Sequence, residues 1–333
     1  MSGANVLADR KLAWVNSPWS LFLARRIAGV ILGVMGLVLI TFFLIQLIPG
    51  DPALAVAGDD APPEVVEQVR HRLGLDQPLP TQFIDYVRGV LTGDFGESFR
   101  YNTPVLDFLL IRLPYTASLA ATGIVVCLSV AVPLGLAIAV LTRNGRRRML
   151  DFAFGAITGF LTAIPGYVKA TILIVIFAIW LSVLPPSFVR NEPVVSMILP
   201  LAAMVIGPIC VISRIIRREA ADVFEQDYMR TARGWRVSSS TLYLRYALPN
   251  LLTTTLTVGA MILTSMIGSA VIIETVFAIP GIGSEVIAAI ANRDYPLIQG
   301  AVLLVGTIAL LLHAMVDILL ASLDPRILGR HND

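Results

Sequence analysis

The sequence predicts an all-α integral membrane protein: six transmembrane helices, a small helical extracytoplasmic cap after the first span, and a helical cytoplasmic loop between the fourth and fifth. Three observations predict it. The 333 residues are 56% hydrophobic and only 14% charged, and a mean hydropathy of +0.79 lies far outside the range of soluble domains. Apolar runs at 27–48, 115–141, 194–212, 251–273 and 297–320 each supply the roughly 20 residues needed to cross about 30 Å of hydrocarbon. A sixth stretch, 152–184, is too long for one straight span and too short for two, so Pro165-Gly166 predicts one helix kinked or tilted there.

Taken in order, residues 1–24 form an N-terminal segment and 25–48 the first span, where Gly29, Gly33 and Gly36 favour close helix packing. Ala55-Val56-Ala57 resembles a signal-peptidase site, but the preceding run exceeds the roughly 7–15 residues of a signal core, so the span is expected to stay uncleaved. The cap, 49–112, carries two helix signals. "APPEVVEQVRHRLGL" has prolines at its first turn, Glu64 and Glu67 early, basic residues late and Gly74 as a stop. "PTQFIDYVRGVLTG" spaces Phe83, Val87 and Leu91 by four, one apolar face. Residues 113–323 hold the other five spans, including the loop 213–246. That loop reads as helix from Arg214 to Gly234, then as a second helix capped by "SSST" and ending near Pro249. Residues 324–333 are a tail.

Orientation follows from Lys and Arg placement. Arg143, Arg146, Arg147 and Arg148 cluster in one loop, and Arg214, Arg217, Arg218, Arg230, Arg233, Arg236 and Arg245 in another, which predicts both on the cytoplasmic side with both termini. The net charge of +2 marks topology here and not a nucleic-acid face. Cys127 and Cys210 fall within spans, where packing is their expected role.

The chain lacks G-x-x-x-x-G-K-[ST], H-E-x-x-H and G-x-S-x-G motifs, so neither nucleotide nor peptide hydrolysis is expected of it. Ionisable groups at membrane depth are Lys169, Glu274, His313 and Asp317, and each should be paired, near an interface or facing water. His313 and Asp317, four apart, read as a hydrogen-bonded packing pair or, with a third ligand, a metal or proton site. Lys169, a turn past Pro165, either snorkels outward or lines a hydrated path where it meets substrate carboxylates.

Eight stretches then converge. "LIPGDPA", "GLDQPLPTQF", "LTGDFGESF", "RLPYTASLA", "DYMRTARG", "ETVFAIPGIG", "RDYPLIQGAVL" and "DPRI" follow one another in this order, and with them the chain resembles the membrane-spanning permease subunits of ABC-type dipeptide, oligopeptide and nickel importers. The resemblance implies a multi-pass protein of a bacterial-type cytoplasmic membrane. It pairs with a second, similar permease, is energised by two cytoplasmic ATPases and receives peptide from an external binding protein. ATP and magnesium bind on the ATPases, and no cofactor binds on this chain. The cytoplasmic loop matches the family's ATPase-coupling motif at Asp227, Tyr228, Arg230, Thr231, Ala232 and Asn250, and Arg233, Gly234 and Trp235 are counted with them as coupling residues, Gly234 coming two places early. It departs at "GWRVS": Trp235 and Arg236 stand where relatives usually carry a lysine-glycine pair. His313 stands where asparagine is common.

The resemblance and topology together place Glu274 at the outer end of the fifth span, followed by Pro280-Gly281 at the centre of a type II turn and by Arg293-Asp294 before the last span. This reads as an outer lip of the pathway, with Glu274 anchoring it, meeting a peptide's amino end, or pairing with Arg293. A nickel or metal-chelate cargo, an ATP-independent channel or carrier, and a membrane peptidase are the competing readings.

Overall fold

The computed structural model describes residues 18–47, 51–58, 60–72 and 74–323. Most of the expected N-terminal segment, the "DPRI" stretch, the tail 324–333 and residues 48–50 of the first motif lie outside the described residues. In chain order the helices are α1 (Pro18–Leu47), α2 (Pro52–Ala57), α3 (Pro63–Arg72), α4 (Leu79–Thr92), α5 (Val105–Leu141), α6 (Arg148–Ala163) and α7 (Gly166–Leu173). They continue with α8 (Pro193–Ser196), α9 (Ile198–Glu225), α10 (Asp227–Gly234), α11 (Ser239–Thr241), α12 (Leu248–Val276), α13 (Ile282–Ala291) and α14 (Tyr295–Leu323). π-helical turns at Ile174–Trp180 and Leu242–Ala247 extend α7 and join α11 to α12. Among the described residues the one extended pairing is an isolated bridge between Glu97 and Pro104.

Among the described residues five helices are long and apolar enough to span a membrane, and a bent pair, Arg148–Ala163 with Gly166–Trp180, adds a sixth when counted as one span. The break at Pro165 is sharper than a kink: the two pieces meet at 98°. Proline crowds its predecessor out of the helical region, and Ile164 is extended, with ψ 125°. Several helix boundaries also differ from those read in the sequence. α5 begins at Val105, so the last eight residues assigned to the cap belong to a spanning helix. α9 carries the fourth span out to Glu225 instead of ending it at residue 212. The helix expected to end near Pro249 runs on, because proline in the first turn of α12 gives up only an N–H that has no intrahelical acceptor.

The chain divides into two compact units, Met1–Arg26 with Ser118–Ile279 and Leu312–Asp333, and Ile27–Ala117 with Pro280–Leu311. In the first, a Cβ on Gly135 of α5 would lie 2.6 Å from the Ser213 carbonyl of α9, so only glycine permits this approach. Ile212, Ile216 and Ala220 of α9 and Leu251 and Met266 of α12 are buried, and the Arg217–Asp151 ion pair, at 2.5 Å, ties α9 to α6.

In the second unit, Val105, Phe108 and Leu109 of α5 pack with Ile282 and Ala289 of α13 and Leu297, Ile298 and Ala301 of α14. The cap is fastened to α1 through Phe83 of α4, whose ring lies 5.1 Å from that of Phe42, and through Tyr86, whose hydroxyl shares a 2.8 Å hydrogen bond with Thr41. The face predicted at Phe83, Val87 and Leu91 is therefore offset towards Tyr86, and Leu91 is exposed. Of the three glycines expected to pack closely, only Gly33 of α1 does so, against Leu310 of α14; a Cβ on Gly29 or Gly36 would meet nothing within 4 Å. Asp51 caps α2 by accepting from the Ala53 N–H at 3.0 Å and pairs with Arg70 of α3.

Candidate functional site

The loop that follows α9 is built by one break and two caps. Gln226, with ψ 149°, turns the chain out of α9 and becomes the N-cap of α10, so the expected continuous helix from Arg214 to Gly234 is two helices. Asp227 stands in the first turn of α10 and Arg233 in the last, each favourable to the helix dipole. At the far end, Val237 N–H donates to the Ala232 carbonyl and Arg236 N–H to that of Arg233, at 3.4 and 2.9 Å. These bonds form a Schellman cap with Arg236 as its left-handed residue, φ 54°. Glycine takes this conformation at no steric cost. Trp235-Arg236 stands where the resemblance expects lysine-glycine, so the turn keeps the left-handed residue without the glycine.

Ser238 then caps α11 by accepting from the Thr241 N–H at 3.3 Å. Asn250, in the first turn of α12, donates from Nδ2 to the Tyr228 hydroxyl at 3.0 Å and to the Tyr246 carbonyl at 2.9 Å. Two residues 22 apart in sequence, both singled out by the motif, are thus brought together. Thr231 Oγ1 donates to the Asp227 carbonyl, and Arg233 donates from Nη2 to the Phe224 carbonyl.

The result is an amphipathic helix with an outward face of Asp227, Tyr228, Arg230 and Thr231, continued by Gly234 and Trp235, whose indole is 72% exposed. Met229 and Ala232 face inward and are buried. Ala220, Ala221 and Ala232 are each small enough for a close-packed contact face. Ala220 and Ala232 instead pack inside this chain, and Ala221 alone is exposed. Burial of Arg233, reinforced by the neighbouring Arg143, holds its pKa below the ordinary arginine value.

The residues assigned to a pathway or gate fall in several places. Lys169 of α7 is half-buried, its Nζ 2.9 Å from where a Cβ on Gly207 of α9 would stand, and it has no ion-pair partner among the described residues. Glu274 lies in the last turn of α12 and is fully buried, not open at a lip. Its carbonyl accepts from the Ile279 N–H at 2.8 Å, closing another Schellman cap with Ala278 at φ 52°.

The expected type II turn is absent: it needs positive φ at its third residue, whereas Gly281 has φ −95° and is the N-cap of α13. Pro280 lies just before this cap. The Ile282 N–H, left without an intrahelical acceptor, donates to Thr116 Oγ1 of α5 at 3.0 Å. Arg293 is exposed and supplies the left-handed residue after α13, φ 53°. Asp294 is buried and accepts from Ser98 Oγ at 2.5 Å and from the Arg100 and Leu297 N–H groups at 3.3 Å.

Asp317 pairs with Arg26 at 2.7 Å and lies 3.9 Å from His313 Nε2. Its nearer partner is a cation, and among the described residues no group of three potential ligands could hold a metal. Sequence reasoning missed the cluster of Tyr101, Arg112 and Glu285. Arg112 Nε lies 2.9 Å from Glu285 Oε1, Tyr101 donates to Oε2 at 3.0 Å, and the Tyr101 and Phe108 rings stack at 4.4 Å. Arg112 belongs to the "RLPYTASLA" stretch, but nothing local to Glu285 points to its partner.

The family described as "Binding-protein-dependent transport system inner membrane component" matches residues 131–329, and its N-terminal counterpart matches residues 20–120. The chain is 36% identical over 338 residues to the "Probable D,D-dipeptide transport system permease protein DdpB" of Escherichia coli, covering 93% of this chain and 97% of that one. It is 32% identical over 308 residues to the dipeptide transport system permease DppB of Bacillus subtilis, covering 92% and 97%. Among solved structures, a chain of the MetNI methionine ABC transporter in inward-facing form matches with a TM-score of 0.52 and 13% identity, over 65% of this chain and 96% of that one. At that identity the likeness concerns the fold.

Proposed function

Because the chain belongs to the family of binding-protein-dependent transport system inner membrane components, we propose that it forms half of the translocation pathway of an ATP-driven peptide importer. A second, similar permease supplies the other half, two cytoplasmic ATPases drive it, and an external binding protein delivers the peptide. Both termini and α10 lie on the cytoplasmic side. The observation that carries the reading is end-to-end similarity to permeases named for dipeptide transport, over more than nine-tenths of each chain.

In this reading α10 is the piece that touches an ATPase. Its outward face offers Tyr228 and Trp235 as aromatic anchors, the residue types that commonly dominate interface energy. Its inward face, through Met229 and Ala232, locks it to the body of the permease. Asn250 fixes the Tyr228 hydroxyl to the root of α12, so displacement of α10 is passed to a spanning helix. Lys169 is an intramembrane cation available to peptide carboxylates.

The cargo is tested by purifying the cognate external binding protein from cells and identifying its bound molecules by mass spectrometry. Short peptides support the reading, and a chelated metal replaces peptide with the alternative cargo.

A further inference from the structure

Two recesses border the Leu141 end of α5. The first, about 530 Å³, is lined by Arg143, Arg217, Arg230 and Arg233, with Glu225 and Phe224. Two of these arginines are balanced: Arg217 pairs with Asp151 at 2.5 Å, and Arg230 lies 3.6 Å from Asp227. Arg143 and Arg233 have no carboxylate partner among the described residues. Arg143 rests 5.9 Å from the centre of the Phe224 ring, and the Nε of Arg233 is buried without an acceptor. The charge of Arg143 depresses the Arg233 pKa further, after burial has already lowered it. An anion with several acceptor oxygens relieves both defects, and guanidinium forks fit phosphate in particular.

The second recess, about 480 Å³, is apolar and is lined by Val132, Leu136, Val140, Leu244 and Leu248, with Tyr243 among its walls. The ring of Tyr243 packs against that of Phe224 at 5.3 Å, so one aromatic pair joins the walls of the two recesses. Along α5 the groove follows residues 132–141, a rise of about 15 Å, half the thickness of a bilayer's hydrocarbon.

We propose that the two recesses together hold one anionic phospholipid, its phosphate among the arginines and an acyl chain along the groove beside α5. The inference rests on the orientation proposed above, which puts this end of α5 at the cytoplasmic headgroup layer, where basic pockets between spanning helices take anionic lipid. An acidic side chain of an ATPase would answer the arginines but leave the apolar groove uncovered, whereas a lipid covers both. Bound there, the lipid touches the base of α10 through Arg230 and Arg233 and makes the position of that helix sensitive to membrane charge.

The test is lipid retention. The transporter is delipidated in neutral detergent and offered phosphatidylglycerol, phosphatidylcholine or inorganic phosphate in separate arms, and bound molecules are counted by native mass spectrometry. Phosphatidylglycerol is expected to be retained in preference to phosphatidylcholine. Arg143→Gln, which removes one positive charge facing the headgroup, should weaken that retention about tenfold, the scale of one charge-assisted hydrogen bond, and Ala137→Trp, which fills the groove from an exposed position, should also weaken it.

Unchanged phosphatidylglycerol retention in Arg143→Gln overturns the proposal. So does inorganic phosphate binding that Ala137→Trp leaves intact while phosphatidylglycerol shows no preference, since the recess is then a plain anion site. Loss of the ATPases from Arg143→Gln with lipid retention unchanged also overturns it, in favour of an ATPase contact. The counts are repeated on the chain purified alone, so absence of ATPases from the wild-type preparation, which would sink the transporter reading, leaves the lipid result readable.

Discussion

Asn250 Nδ2 donates a 3.0 Å hydrogen bond to the hydroxyl of Tyr228, joining the first turn of α12 to the exposed face of α10. If this bond carries motion between the loop and the spanning helix, Tyr228→Phe and Asn250→Ala should reduce peptide-stimulated ATP hydrolysis to a similar extent. The double mutant should be little worse than either, because residues in one network do not act additively. Additive losses in log rate would show that the two side chains act separately.

Arg236 holds the left-handed position of the α10 cap that glycine occupies without steric cost. A non-glycine residue there costs roughly 1–2 kcal/mol, partly offset by the greater unfolded-state entropy of glycine. Arg236→Gly is therefore expected to stabilise the loop by up to about 1 kcal/mol, visible as a rise in thermal midpoint and in resistance to limited proteolysis around residues 226–238. A fall in both would mean that the arginine side chain makes a compensating contact with a partner.

Asp294 gathers Ser98 and two backbone N–H groups at a fully buried position. Asp294→Ala leaves those donors unpaired, each at about 1–3 kcal/mol, and should lower the yield of folded permease. Ser98→Ala added to it should cost little more, since the partner is already gone. If Asp294→Ala folds normally and loses only uptake, the residue works in the pathway and not as a structural tie.

Much of the fold was legible because its signals are local. Prolines opened α3 and α4 and glycines closed them, Gly74 and Gly93 taking positive φ as such stops require. Apolar length located the spans, and Ser238 capped as its type predicts. The misreadings share a different cause. Arg236, Ala278 and Arg293 all adopt left-handed caps that residue type does not announce, so Pro280-Gly281 drew the turn assignment away from Ala278. Ala232 is small enough for an interface or a core, and only packing decides between them. The Arg112–Glu285 pair joins α5 to α13 across most of the sequence, beyond the reach of any periodicity.

Orientation is checked by labelling whole cells with a membrane-impermeant thiol reagent, after replacing the buried Cys127 and Cys210. A cysteine at Gln77 should react and one at Arg146 should not until the cells are permeabilised. Labelling at Arg146 in intact cells would reverse the topology and with it the assignment of α10 to the cytoplasm.

Peptide-stimulated ATP hydrolysis by the complete transporter in proteoliposomes, compared between wild type, Trp235→Ala and Ala232→Asp, tests the coupling role of α10 most directly. Trp235 is exposed, so Trp235→Ala should leave the permease folded while weakening its hold on the ATPases by about 2 kcal/mol, with stimulation largely lost. Ala232 is buried, so Ala232→Asp should fail earlier, as misfolded permease. Stimulation at the wild-type level in Trp235→Ala, with the ATPases still co-purifying in full, would contradict the coupling role of α10.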